Sequence, residues 1–74
     1  MRYVQSFIKG KLQKTKGDLK GALEFFEKAI NLEPTHSQSY KNKAMILVDL
    51  KNYDKALECY DLAIKYNPKG LLNI

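Results

Sequence analysis

The sequence predicts an all-α fold of two tandem antiparallel helical hairpins. Three observations carry this. The stretch 17–34, GDLKGALEFFEKAINLEP, recurs 34 residues later as 51–68, KNYDKALECYDLAIKYNP. Ala22, Leu23, Glu24, Ala29, Ile30 and Pro34 are answered by Ala56, Leu57, Glu58, Ala63, Ile64 and Pro68, with Phe26 against Tyr60 and Glu27 against Asp61. Self-similarity at a fixed period of this length marks repeated supersecondary units. Apolar residues also recur at helical spacing along the chain, with no alternating strand pattern, low-complexity segment or long linker. Finally, the helices of each unit are joined by turns of two or three residues, which makes them antiparallel neighbours.

The elements follow in order. Residues 2–16 hold no proline, and Val4, Ile8 and Leu12 recur every four residues with Phe7 beside them, the spacing of one helix face. Gly10 is the weak point of this helix, costing about 1 kcal/mol against alanine. At Lys16-Gly17-Asp18 the glycine suits the left-handed residue that ends one helix, and Asp18 suits the cap of the next. Leu19, Ala22, Leu23, Phe26, Ala29 and Ile30 make a broad apolar stripe over 19–32. Glu24 and Lys28 are spaced for an i,i+4 ion pair on the opposite side, and Pro34 stops the helix. Thr35-His36-Ser37-Gln38 reads as a capping box. A third helix then runs to about Leu50, with Tyr40, Ala44, Leu47 and Val48 on its apolar face. Lys51-Asn52 repeats the turn, with Asn52 as the cap. Tyr53, Ala56, Leu57, Tyr60, Ala63 and Ile64 repeat the stripe, and Pro68 and Gly70 close the second unit.

Length and composition narrow the function classes. A chain of 74 residues is one domain at most. It buries only about 60% of its unfolded surface, so its stability margin is thin. Cys59 is the only cysteine and His36 the only histidine. That rules out an internal disulfide and argues against an all-protein zinc site, which wants four N or S ligands; no metal or cofactor is expected. No apolar run approaches the roughly 18 residues of a membrane span, and residues 1–8 lack the apolar core of a secretory signal, so a cytoplasmic protein is expected. The net charge of +5 is unevenly placed. Arg2, Lys9, Lys11, Lys14 and Lys16 all precede Gly17 and no acid does, whereas the rest of the chain sums to zero. A basic surface draws acidic protein, nucleic acid or anionic lipid, and sign alone does not choose among them.

These units resemble the tetratricopeptide repeat, whose pattern W-x2-L-G-x2-Y…A-x3-F…P lies along both. The second unit fits through Tyr40 at the Trp place, Ala44 at the Gly place, Leu47 at the Tyr place, then Ala56, Tyr60 and Pro68; Lys43 departs at the Leu place. The first fits through Gly10, Ala22, Phe26 and Pro34 and departs at Ser6, Lys9 and Gln13. The resemblance covers residues 3–70, with repeat one at 3–36, repeat two at 37–70 and a truncated, cap-like tail at 71–74. It implies a short right-handed α-solenoid. Ala22, Ala29, Ala56 and Ala63 are expected to let paired helices approach, with Phe26 and Tyr60 filling the space between hairpins. In the first helix Val4, Ile8 and Leu12 stand one residue earlier than the pattern wants, about 100° of rotation. Either the helix is turned in its socket or it packs elsewhere, for instance on another chain.

The resemblance also implies a function. The first helices of such hairpins line a concave groove that grips a peptide, which places Phe7, Lys11, Lys14, Lys41, Asn42, Met45 and Asp49 on the groove. With the positive charge on those helices, the groove is expected to be basic and its ligand an acidic or carboxylate-ended peptide. Some relatives clamp a terminal carboxylate with Lys and Asn from one unit, Asn from the next, and Lys and Arg from a third. Asn42 stands at the second-unit Asn, Phe7 and Lys11 occupy the first-unit places, and no third unit is present, so a complete clamp is not expected. Stacked repeats usually need about three units. The last helix would leave Tyr53, Leu57, Tyr60 and Ile64 uncovered, with Leu71 and Leu72 following. The chain is therefore expected to be a homo-oligomer through that face, or else a piece of a longer array.

Other chemistries are weaker. His36 has no second histidine or nucleophile at useful spacing and reads as an exposed loop residue. Cys59 reads as a reduced thiol. The tyrosines fall mostly on the inter-helix face, which favours packing over stacking on nucleic acid. Gly17 and Gly21 lack the Gly-Lys-Ser/Thr of a phosphate loop. The expectation is a non-enzymatic module that binds protein, with a purely structural oligomerisation unit and nucleic-acid binding through 2–16 as rivals.

Overall fold

The computed structural model describes residues 2–67, and within them the chain forms four helices and no strand: α1 (Arg2–Thr15), α2 (Leu19–Leu32), α3 (Ser37–Asp49) and α4 (Tyr53–Tyr66). Pro68, Gly70, Leu71 and Leu72, and with them the expected closing turn and tail, lie outside the described residues. Helix α1 packs along α2 and α3 along α4; α2 joins the two pairs by packing on α3, and α1 meets α3 more lightly. This is the two-hairpin architecture the repeat predicted.

Each hairpin turn is built by the same bonds. In the first, Gly17 N–H donates to Lys14 O and Asp18 N–H to Gln13 O; in the second, Lys51 N–H donates to Val48 O and Asn52 N–H to Leu47 O. The pattern satisfies the last carbonyls of a helix and needs a left-handed residue just after it. Gly17 takes it at φ +88° and Lys51 at φ +63°. For Lys51 that conformation carries a Cβ penalty. Lys51→Gly should therefore stabilise the fold by about 1 kcal/mol. In a domain of this size that raises the thermal midpoint by roughly 4–8 °C, readable by circular dichroism.

The caps differ in detail from expectation. Asp18 caps α2 as predicted, its carboxylate accepting from Gly21 N–H at 3.0 Å. Asn52 holds the N-cap position of α4, but its side chain makes no capping hydrogen bond. The Thr35–Gln38 capping box does not form. The Thr35 hydroxyl donates instead to Glu33 Oε1 at 2.8 Å, and α3 starts at Ser37 with His36 at its N-cap position. Nor is Lys28 paired with Glu24; its ammonium lies over the Phe25 ring. Among the described residues the ion pair is Lys43–Glu27, 3.4 Å across the α2–α3 seam. This explains the charged residue at an otherwise apolar place of the repeat.

Small residues set the packing. Ala22, Ala29, Ala44, Ala56 and Ala63 are all buried, letting helix backbones approach. Phe26 and Ile46, both fully buried, meet Ala22 in one core cluster, with Phe7, Leu19 and Leu23 against it. Ala44, Leu47, Ala56 and Cys59 form a second, with Tyr60 against it. Helix α1 resolves the question of register. It turns Gly10, not Val4, Ile8 and Leu12, into the core. A Cβ on Gly10 would lie 2.9 Å from the Phe26 ring, closer than carbon atoms pack, so the missing side chain is what lets the ring sit there. Ile8 and Leu12 are left about half exposed, at 51% and 55%.

Candidate functional site

The candidate groove residues lie in two stripes. On α1, Phe7, Lys11 and Lys14 succeed one another at i, i+4 and i+7; on α3, Lys41, Met45 and Asp49 do so at i, i+4 and i+8. The stripes meet where Lys14 Nζ stands 3.8 Å from Met45 Sδ. Phe7 is half buried, tilted against Phe26 with centroids 5.7 Å apart, and Lys11 Nζ lies 5.5 Å above it. The ring thus forms the floor beneath a cation, a contact worth about 0.5–1 kcal/mol when exposed. Lys41, Met45 and Asp49 are exposed. Asn42 is half buried and its amide donates to Gln38 O within its own helix at 2.8 Å, which leaves its carbonyl oxygen and a second N–H to offer. Charge is one-sided here. Helix α1 holds four bases and no acid, while α3 holds Lys41 and Lys43 against Asp49.

The open face of α4 carries Tyr53, Leu57 and Ile64 at 57%, 62% and 49% exposure. Tyr60 is only half exposed and does not fill the space between hairpins as expected; unlike Phe26, it packs on its own hairpin's core. Three large apolar side chains along one helix face make a patch of the kind that marks an interface.

His36 is not the exposed loop residue the sequence suggested. Its ring sits between Tyr3, with centroids 4.8 Å apart, and the edge of Phe7, also 4.8 Å away, while Nδ1 shares a 2.6 Å hydrogen bond with the buried Ser39 hydroxyl. The loop between hairpins is thereby fastened to α1. Tyr40 fastens it to the second hairpin, its hydroxyl donating to Pro34 O at 2.8 Å and its ring stacking on Tyr66. No sequence signal pointed at His36–Ser39, since neither residue is apolar.

Burial pushes the His36 imidazole below its usual pKa, against a smaller upward pull from Glu33. The folded chain therefore binds this proton less readily than the unfolded chain. Between the folded value and the unfolded value of about 6.5 the unfolded state holds more protons, so stability rises with pH through that window. The thermal midpoint should thus fall as pH drops through and below the unfolded value of about 6.5, and His36→Gln should flatten the slope. A slope unchanged in His36→Gln would assign it to other groups. Cys59 is buried and its thiol is pushed up, so it stays protonated and is not prepared as a nucleophile or ligand. Among the described residues no three of His, Cys, Asp and Glu gather as a metal site would need, and no helix is long and apolar enough to cross a membrane.

The tetratricopeptide repeat matches twice in tandem, at residues 7–36 and 37–69. The chain belongs to the tetratricopeptide repeat family. The first match takes in most of α1 and all of α2, and the second takes in α3 and α4. Tetratricopeptide repeats are protein-interaction modules, generally without catalysis. Among curated proteins, an uncharacterized protein of Methanocaldococcus jannaschii is 47% identical over 45 residues, 61% of this chain and 52% of that protein. The Hsp70-Hsp90 organizing protein 3 of Arabidopsis thaliana is 40% identical over 54 residues, 73% of this chain and 10% of that protein. The Hsp70-Hsp90 organising protein of Plasmodium falciparum is 39% identical over 51 residues, 66% of this chain and 9% of that protein. The chain thus spans about half the length of the archaeal relative and about a tenth of the organizing proteins.

Proposed function

We propose that this tetratricopeptide repeat chain docks an acidic or carboxylate-ended segment of another protein along the α1–α3 face. The observation that carries the reading is the junction of the two stripes. There Lys11 and Lys14, on a helix without a single acid, stand beside Phe7 and Met45, so a charged ligand would meet cations and apolar surface together. The organizing proteins fit a holding role, since their name has them organise two other proteins and a segment like this chain occurs in each.

The test is titration of the purified chain with a fluorescent Glu/Asp-rich peptide ending in a free carboxylate, against the triple reversal Lys11→Glu, Lys14→Glu, Lys41→Glu. Exposed charge pairs contribute about 0.2–1 kcal/mol each, so reversing three should weaken binding by roughly tenfold or more. Peptide binding that survives the reversal would refute a basic groove. Tight binding to any duplex DNA with a steep salt slope would point to the nucleic-acid alternative.

A second reading is favoured by a separate observation, the exposed Tyr53, Leu57 and Ile64 on α4. This face is suited to self-association, whether or not the α1–α3 face takes a ligand.

A further inference from the structure

We infer that copies of this chain join head to tail, the outer face of α1 in one copy seating on the open face of α4 in the next. The inference rests on the self-association reading and says which surfaces meet. Its basis is the seam already present inside the molecule, where α3 seats on α2.

Each member of that seam has a counterpart 34 residues away on an outer face. Ile46 is the wedge, fully buried against Ala22 and Phe26 and flanked by Leu19 and Leu23. Its counterpart on α1 is Leu12, also apolar, and more than half exposed. The receiving surface on α2 is repeated on α4 by Ala56 and Tyr60, flanked by Tyr53 and Leu57. The flanking pair that is half buried on α2 is exposed on α4. Among the described residues, Leu12 on α1 and the flanking Tyr53 and Leu57 on α4 therefore stand exposed, while Ala56 and most of Tyr60 are held by their own hairpin.

Charge repeats with shape. The seam is bridged by Lys43 and Glu27. Their counterparts are Lys9 on α1 and Asp61 on α4, both exposed and of matching sign. The helices as wholes also complement each other, α1 with four bases and no acid, α4 with Asp54, Glu58 and Asp61 against Lys55 and Lys65. Packing α4 on a second α4 would set acid-rich faces together instead. A junction between unlike faces leaves one of each free, so it grows open-ended unless the rotation closes a ring.

Light scattering on a sizing column across a dilution series tests this with wild-type chain, Leu12→Asp and Leu57→Asp. The wild type should grow in mass with concentration without stopping at a dimer. Each variant alone should be monomeric, because every junction uses both residues. Mixed in equal amounts they should give a heterodimer that grows no further, since one junction is intact and the other doubly broken. If Leu57→Asp abolishes assembly while Leu12→Asp does not, α4 meets itself; the head-to-tail arrangement is then overturned and self-association stands. A wild type that stays monomeric at every concentration overturns both, and leaves α4 to the chain's own tail or to another protein. Should either aspartate variant lose its helical signal, Lys9→Glu and Asp61→Lys replace them. Each alone sets like charges at the junction, and the mixture pairs opposite charges at every junction. Weakened assembly in each and recovery in the mixture are expected, and a mixture that behaves like its parts overturns the proposal.

Discussion

Phe26→Ala should remove about 3–5 kcal/mol, a third or more of the fold's stability. The ring is fully buried and is touched from three helices: by Gly10 and Phe7 of α1, by Ala22 of its own helix and by Ile46 of α3. Truncating a buried phenylalanine costs about 3–5 kcal/mol, the upper end where the cavity cannot collapse. At Gly10 the wall is backbone with no side chain to lean in, so Phe7 is the α1 side chain that could move toward the cavity. Against this, a chain of this length holds roughly 4–11 kcal/mol in total, and less where the buried fraction is small. Urea or thermal unfolding followed by circular dichroism reads the effect. Phe25→Ala is the control. That ring is only half buried, beneath Lys28, and its loss should cost much less. An equal loss in the two variants would mean that ring burial does not decide the stability.

Ile46→Ala should cost about 2–5 kcal/mol, whereas Leu12→Ala, at the equivalent place one repeat earlier, should change the monomer's stability by less than about 0.5 kcal/mol. The two residues differ in what they touch. Ile46 is the wedge between hairpins, while Leu12 faces outward. The loss at Ile46 should also keep a single unfolding transition. A lone hairpin falls below the roughly 40 residues at which a chain begins to hold a core unaided, so loosening the seam should unfold both units together. Two separate transitions in Ile46→Ala would show that one hairpin stands by itself.

Much of this arrangement was legible from the residues. The alanines at 22, 29, 56 and 63 marked the close helix contacts, Gly17 and Asp18 marked the first turn, and the 34-residue period located both hairpins. The register of α1 was not legible from apolar spacing, which pointed to Val4, Ile8 and Leu12. The deciding residue was Gly10, and a count of apolar side chains is blind to a position chosen for having none. The same limit hid Lys51, a left-handed residue with a side chain, where glycine would have announced the geometry. Lys43 read as a departure from the pattern until Glu27 appeared opposite it. The groove residues were named through the resemblance, and the structure adds one contact between their two stripes, Lys14 with Met45. His36 lies in the loop as expected but was misjudged as exposed, because its partners, Tyr3, Phe7 and Ser39, lie on other elements.

The two turns share one bonding pattern, and the α2–α3 seam has its counterpart residues on both outer faces. A duplication of 34 codons would therefore need no new invention. The added hairpin would enter on the elbow already in use and land on a surface already shaped for it. An insertion that is not a whole number of units would arrive out of phase, with its wedge residue rotated off the receiving face. What selection can lengthen or shorten cheaply in such a molecule is the number of units, while the spacing within each stays fixed by the packing.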